Sequence, residues 1–114
     1  PTRRSSDLAE LELQLGEVTQ GLGQRGAAID ALRAAIVGFE AAATHSRTVL
    51  LQQRLASARV ALASQLLAGH GGGEGQAEAR TLLVAAEQFY RSSGPGYAWR
   101  LPGLEDLQRR RGIP

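Results

Sequence analysis

Apolar positions along the chain recur in alternating steps of three and four residues, the spacing that places side chains on one face of an α-helix. The first such run predicts a helix from about residue 8 to residue 22. Its expected buried line is Leu8, Leu11, Leu15, Val18 and Leu22. Three glycines, Gly21, Gly23 and Gly26, are expected to end this helix, because glycine favours a turn over a helix interior.

The same spacing predicts three further helices, at about 27–43, 47–68 and 76–91. Their expected buried lines are Ile29, Leu32, Ile36, Phe39 and Ala43 in the second, Leu51, Leu55, Ala58, Leu62 and Leu66 in the third, and Ala79, Leu82, Leu83, Ala86 and Phe89 or Tyr90 in the fourth. Residues 44–46 form a break with two N-cap candidates, and the glycine-rich residues 69–75 predict a flexible loop.

A last helical segment is predicted at about 96–111, where Pro102 should kink or split the helix. Its apolar residues are Tyr97, Trp99, Leu101, Leu104 and Leu107. No run predicts a strand, and short links between amphipathic helices favour antiparallel neighbours. The predicted fold class is therefore all-α, with antiparallel helix hairpins at about 8–44 and 46–92 and a kinked C-terminal capping helix at about 95–111.

The first eight residues resemble one reading frame of a sequencing-adapter oligonucleotide. We therefore expect residues 1–8 to be a non-native leader and residues 9–114 to be one helical-repeat domain, cut from a larger protein. The alternative is a natural polar segment in which Ser6 or Asp7 caps the first helix.

Composition narrows the class of protein. The chain is 43% hydrophobic and 21% charged, which is ordinary for a folded domain, and no apolar run approaches the roughly 20 residues of a membrane-spanning helix. It contains no cysteine, which excludes disulfides and thiolate metal sites. All 13 basic residues are arginine, but the net charge is only +2, so charge gives no argument for nucleic acid. We expect a cytoplasmic protein that binds neither membrane nor nucleic acid.

The first hairpin carries a recognisable pattern in Leu15-Gly16, Gly23, Ala28, Leu32 and Ala35. This pattern resembles the tetratricopeptide repeat, in which small residues let two helices approach and a leucine fills the groove between them. The second hairpin repeats part of it with Ala79, Leu83 and Ala86. The sequence departs from the family at Glu12 and Thr19, where aromatic residues are usual, it lacks the closing proline, and its two matching units lie further apart than the roughly 34 residues of a repeat.

The resemblance implies a non-catalytic scaffold that binds another protein or a peptide segment, with no cofactor and no metal. In such repeats the first helix of each hairpin lines a concave groove. The corresponding residues off the predicted buried lines are Glu10, Leu13, Glu17, Gln20, Gln53, Ser57, Val60 and Ser64.

An alternative function comes from residues 78–97, which resemble the end of helical-repeat regions in large bacterial signalling proteins. On that interpretation the chain is a regulatory segment of a multidomain serine/threonine kinase or signalling ATPase.

Four short motifs have a chemical interpretation that we judged weaker than a structural one. Residues 21–26 spell the glycine pattern of dinucleotide-binding loops, but a helix rather than a strand precedes them. Residues 71–75 lack the lysine of a phosphate-binding loop. His45 beside Ser46, and His70, are expected to be solvated turn residues, because no acid is placed to orient them. Residues 109–111 are three arginines that suit the last turn of a helix.

Far-UV circular dichroism of the chain should show a predominantly helical spectrum, because every amphipathic run has helical spacing. A spectrum dominated by strand would contradict the predicted fold class.

Overall fold

The computed structural model describes residues 2–46, 48–68, 73–93 and 101–110. Across these ranges the backbone forms five α-helices and no strand, which confirms the predicted all-α class. The helices are α1 (Thr2–Gly21), α2 (Arg25–Ala43), α3 (Val49–Ala68), α4 (Gly73–Ser92) and α5 (Leu101–Arg110).

The helices pack as two hairpins with a closing helix. The α1 helix lies against α2, and α3 lies against α4; α2 and α3 join the two hairpins, and α5 packs on α4. Short connections give this arrangement, because a chain that turns within a few residues brings the next helix back along the previous one.

The turn between α1 and α2 explains the glycines at 21–26. Gly23 has a φ of 76°, in the left-handed region. Its N–H donates to the carbonyl of Gln20 at 3.1 Å, and the N–H of Gln24 donates to the carbonyl of Thr19 at 2.8 Å. This is the Schellman arrangement, which satisfies the last carbonyls of a helix and favours glycine at the left-handed position. The glycine pattern therefore serves a turn between helices.

The break before α3 differs from the prediction. The N-cap is Thr48, whose hydroxyl accepts a hydrogen bond from the N–H of Leu51 at 3.2 Å, and α3 begins at Val49. Thr44, which we had considered as an N-cap, instead donates its hydroxyl to the carbonyl of Ala41 at the end of α2, at 2.7 Å. The Thr44 side chain thus forms its hydrogen bond with the preceding helix, α2.

The α4 helix begins earlier than predicted, and Pro102 lies in the first turn of α5. The α4 helix begins at Gly73, inside the predicted loop at 69–75, of which residues 69–72 lie outside the described residues. Pro102 is the second residue of α5, where a missing N–H costs no helical hydrogen bond, and the predicted part of this segment at 96–100 lies outside the described residues. Tyr97 and Trp99 lie outside the described residues.

The apolar side chains form two clusters that meet along α3. The first cluster joins α1, α2 and one side of α3, and the second joins the other side of α3 with α4 and α5. Leu55 and Leu62 belong to the first cluster, while Ala56 and Ala63 belong to the second. Because α3 is buried on two sides, both hairpins depend on it. The predicted buried lines of α2, α3 and α4 are confirmed in their main residues, with Tyr90 rather than Phe89 the more deeply buried aromatic.

The buried face of α1 was predicted wrongly. The five residues of the expected line are between 54% and 68% exposed, whereas Ala9, Leu13, Gly16 and Thr19 are buried against the rest of the fold. The hydroxyl of Thr19 is satisfied locally, since it donates to the carbonyls of Leu15 and Gly16 at 2.8 and 3.1 Å. The helix therefore turns its small residues inward and its leucines outward.

Gly16 explains this orientation. A Cβ added at Gly16 would lie 2.8 Å from both Cγ and Cδ2 of Leu32, and Leu32 is completely buried. Only a glycine lets α1 approach α2 this closely, as expected from the pattern of small residues at Gly16 and Ala28 with a leucine between the helices. Close approach extends the dispersion contacts along the whole helix pair.

The substitution Gly16→Ala should lower the free energy of unfolding by about 1–2 kcal/mol. Overpacking against Leu32 costs about 1–3 kcal/mol, and the better helix propensity of alanine returns at most about 1 kcal/mol. Urea denaturation followed by circular dichroism measures the difference.

Gly26→Ala is the matched control, because no atom lies within 4 Å of the Cβ it would add. It should leave stability unchanged or raise it. In a Leu32→Ala background the cost of Gly16→Ala should disappear, since the side chain that it meets is gone. Equal effects of the two glycine substitutions would mean that the close approach is not a stability constraint.

Candidate protein-interaction surface

The most exposed apolar feature of the described residues is one face of α1. We call it the leucine stripe, and its members, with their exposed fractions, are Leu8 (56%), Leu11 (62%), Leu15 (54%), Val18 (58%) and Leu22 (68%). These residues keep the alternating three and four spacing that placed them on one face in the sequence, so they form a continuous band along the helix. The band spans about 21 Å, from a rise of about 1.5 Å per residue.

Acidic residues lie at two places relative to this band, with Glu12 next to it and Glu17 in the same helical row as Glu10. Glu12 and Glu17 are on the same helix, and no ion pair joins either of them to another described side chain. Glu10, by contrast, forms an ion pair with Arg54 of α3, with 3.2 Å between Oε2 and Nε. This pair links the two hairpins on the side of α1 away from the stripe.

The structure places the predicted groove residues on α1 and α3 in different environments. Leu13 is only 4% exposed and belongs to the core between α1 and α2, so it does not line a groove; this is a correction that follows from the rotation of α1. Glu17 and Gln20 are exposed. Gln53, Ser57, Val60 and Ser64 are partly exposed on one face of α3, and Val60 also packs against the second apolar cluster.

A cavity of about 330 Å³ lies where the first turns of α1 and α3 meet. Its lining includes Glu10 and Arg54, together with Phe39 and Leu51 from the core beneath. Of the predicted groove residues only Glu10 lines it. The cavity therefore involves one end of the predicted groove and not its other residues.

A larger cleft, of about 420 Å³, lies between α2, α3 and α4 and was not predicted. Leu55 and Phe89 contribute apolar lining, and Arg59 forms an ion pair with Glu40 at 3.3 Å. These residues come from three helices that are distant in sequence, and none belongs to a recognisable motif. No local pattern could have identified the cleft, because it exists only through the way in which the hairpins pack.

The residues with a possible chemical role are dispersed. His45 and Ser46 are both exposed in the turn after α2. Among the described side chains, no three of the His, Asp and Glu residues are grouped closely enough to hold a metal ion. His70 and Arg111 lie outside the described residues, as do the side chains of Arg109 and Arg110.

Comparisons of the chain with protein-family models, with curated proteins and with solved structures gave no match. In the described part of the chain, none of the helices combines the length and the apolar character needed to cross a membrane.

Two leucines two residues apart on α1 test which face is buried. Leu13→Ala should lower the free energy of unfolding by about 2–5 kcal/mol, because it leaves a cavity in the core. Leu15→Ala should change it by no more than about 0.5 kcal/mol, because its side chain already faces solvent. Urea denaturation of both variants provides the comparison. If Leu15→Ala destabilised the chain more than Leu13→Ala, α1 would bury its leucine face, as its leucine spacing predicts.

Proposed function

We propose that the chain is a protein-interaction module made of two helix hairpins, and that α1 binds a helical segment of another protein. The observation that supports this proposal is the leucine stripe, in which five large apolar side chains face solvent together. Single exposed apolar residues are ordinary on protein surfaces, but a contiguous apolar face marks a surface that another molecule covers.

The spacing of the stripe favours a helix as the occupant. Apolar residues in alternating steps of three and four form the seam of paired helices, in which each side chain inserts between side chains of the facing helix. The stripe is long enough for about four turns of such a partner. An extended peptide would instead present side chains at a period of two, which does not match this surface.

The fold holds the stripe ready for binding. Ala9, Leu13 and Gly16 fix the opposite face of α1 against α2, so the helix does not have to form when the partner arrives. Binding to a preformed helix avoids the entropy cost of ordering the backbone. A free peptide with the sequence of α1 would lose this advantage.

The resemblance to tetratricopeptide repeats supports the same class of function but a different surface. The family would use the predicted groove on α1 and α3. In this chain Leu13 is buried and Glu10 is paired with Arg54, which leaves that side with fewer groups for a ligand. The stripe lies on the other side of α1 and presents more apolar surface.

A helical peptide of three heptads, with leucine at the two seam positions of each heptad and glutamine beside them, tests the proposal. It should bind the chain saturably in fluorescence anisotropy, at concentrations below those at which the peptide associates with itself. The double variant Leu11→Gln, Leu15→Gln should weaken binding at least about tenfold, since losing two apolar contacts costs more than about 1.4 kcal/mol.

Val37→Gln is the matched control. Val37 is 66% exposed on α2 and lies outside the stripe, so the substitution removes the same kind of surface without touching the proposed site. It should leave the affinity unchanged. If the peptide fails to bind, or if the stripe variant binds it as well as the native chain does, then α1 is not the interaction surface.

A further inference from the structure

The part of α1 that carries the leucine stripe is acidic, whereas the first turn of the helix contains Arg3 and Arg4. Between residues 5 and 24 the chain has four carboxylates, those of Asp7, Glu10, Glu12 and Glu17, and no basic residue. The whole chain, by contrast, has a net charge of +2. The leucine stripe thus lies on an acidic helix within a chain that is otherwise basic.

The register of the stripe places these carboxylates beside it. Written as a heptad, Leu8, Leu15 and Leu22 occupy position a, and Leu11 and Val18 occupy position d. Glu12 then occupies position e and Asp7 position g, the two positions that border a helix seam and determine the choice of partner. Glu17 occupies position c, the same row as Glu10, and so lies away from the seam. Glu10 is already neutralised by Arg54, but Glu12 and Glu17 have no ion pair with a described side chain.

This arrangement disfavours two occupants of the stripe. A second copy of the chain packed in parallel would bring Asp7 of one copy beside Glu12 of the other, and residues 5–24 offer no arginine to oppose them. An anionic membrane surface attracts helices whose polar border is basic, whereas here the border is acidic. Both occupants would cover the leucines while placing like charges close together.

We propose that the partner is an amphipathic helix whose apolar line is flanked by lysine or arginine. The inference rests on the proposed function, because it names the chemistry of the segment that the stripe binds. Basic residues at the bordering positions pair with Asp7 and Glu12, while the apolar line covers the leucines. Complementary charge of this kind selects the partner and its orientation more than it adds affinity.

The test uses three versions of the three-heptad peptide, with lysine, glutamine or glutamate at the positions that border its leucines. The lysine peptide should bind about fivefold more tightly than the glutamine peptide, as two surface ion pairs of about 0.5 kcal/mol each would give. The glutamate peptide should bind more weakly than both. The preference should shrink as salt is raised from low to high ionic strength, because exposed charges are screened.

A second experiment reverses the charge beside the stripe on the chain itself. The double variant Glu12→Lys, Gln14→Lys, which places lysine at positions e and g beside the stripe, should invert the order, so that the glutamate peptide binds best. Asp30→Lys changes an exposed acid on α2 and should leave the order unaltered, which separates local pairing from overall charge. The changes at residues 12 and 14 lie outside the predicted leader at 1–8, and circular dichroism checks that each variant keeps its helices.

The outcomes distinguish the two proposals. If all three peptides bind equally and the reversal has no effect, the stripe binds a helix but the charge inference is wrong. If none binds, the proposed function itself is wrong. Sedimentation of the native chain tests whether a second copy of the chain occupies the stripe. A dimer that the double variant Leu11→Gln, Leu15→Gln abolishes would show that it does, and would overturn the inference.

Discussion

The close contact between Gly16 and Leu32 is the constraint on which the arrangement of α1 depends. An α-helix can bury only one face against a single neighbour, and the faces of α1 compete for that position. The face with Ala9, Leu13 and Gly16 lets the helix axes approach until Leu32 fills the groove completely. Turning the leucine face inward would keep the helices further apart and leave Leu32 less well packed. Density of packing, and not the amount of apolar surface on α1, determines which side is buried.

The second hairpin rests on a helix that is buried from two directions. The α3 helix gives leucines to the first apolar cluster and alanines to the second, so it forms the common wall between the hairpins. Its small residues face α4, where Ala79, Leu83 and Ala86 complete the contact. The same principle therefore operates twice: small side chains on one helix allow a close neighbour, and a large side chain on the other fills the space. The α5 helix adds Leu104 to the outer end of this cluster.

The orientation of α1 also creates the surface on which the functional proposals stand. Burial of the small face leaves a leucine band in solvent, with Asp7 and Glu12 at the two positions that border it. The ion pair between Glu10 and Arg54 anchors the opposite border of α1 to α3. The orientation of α1 thus determines the core, the exposed apolar band and the charge beside that band. The cleft between α2, α3 and α4 is a separate consequence of how the hairpins meet.

The sequence by itself determined the helices and most of their buried faces. Periodicity located α2, α3 and α4 and identified Leu32, Leu55 and Leu83 as core residues, because in each of these helices the line of large apolar residues coincides with the side that meets a neighbour. The glycine at position 23 marked the first turn, since only a residue tolerant of a positive φ suits it. Only the tertiary structure showed which face of α1 is buried. The spacing of Leu11 and Leu15 predicts the leucine face, but Gly16 on the other face permits the closer contact with α2. Hydrophobic spacing records which side chains share a face of a helix, but the fit against a partner helix decides which face is buried.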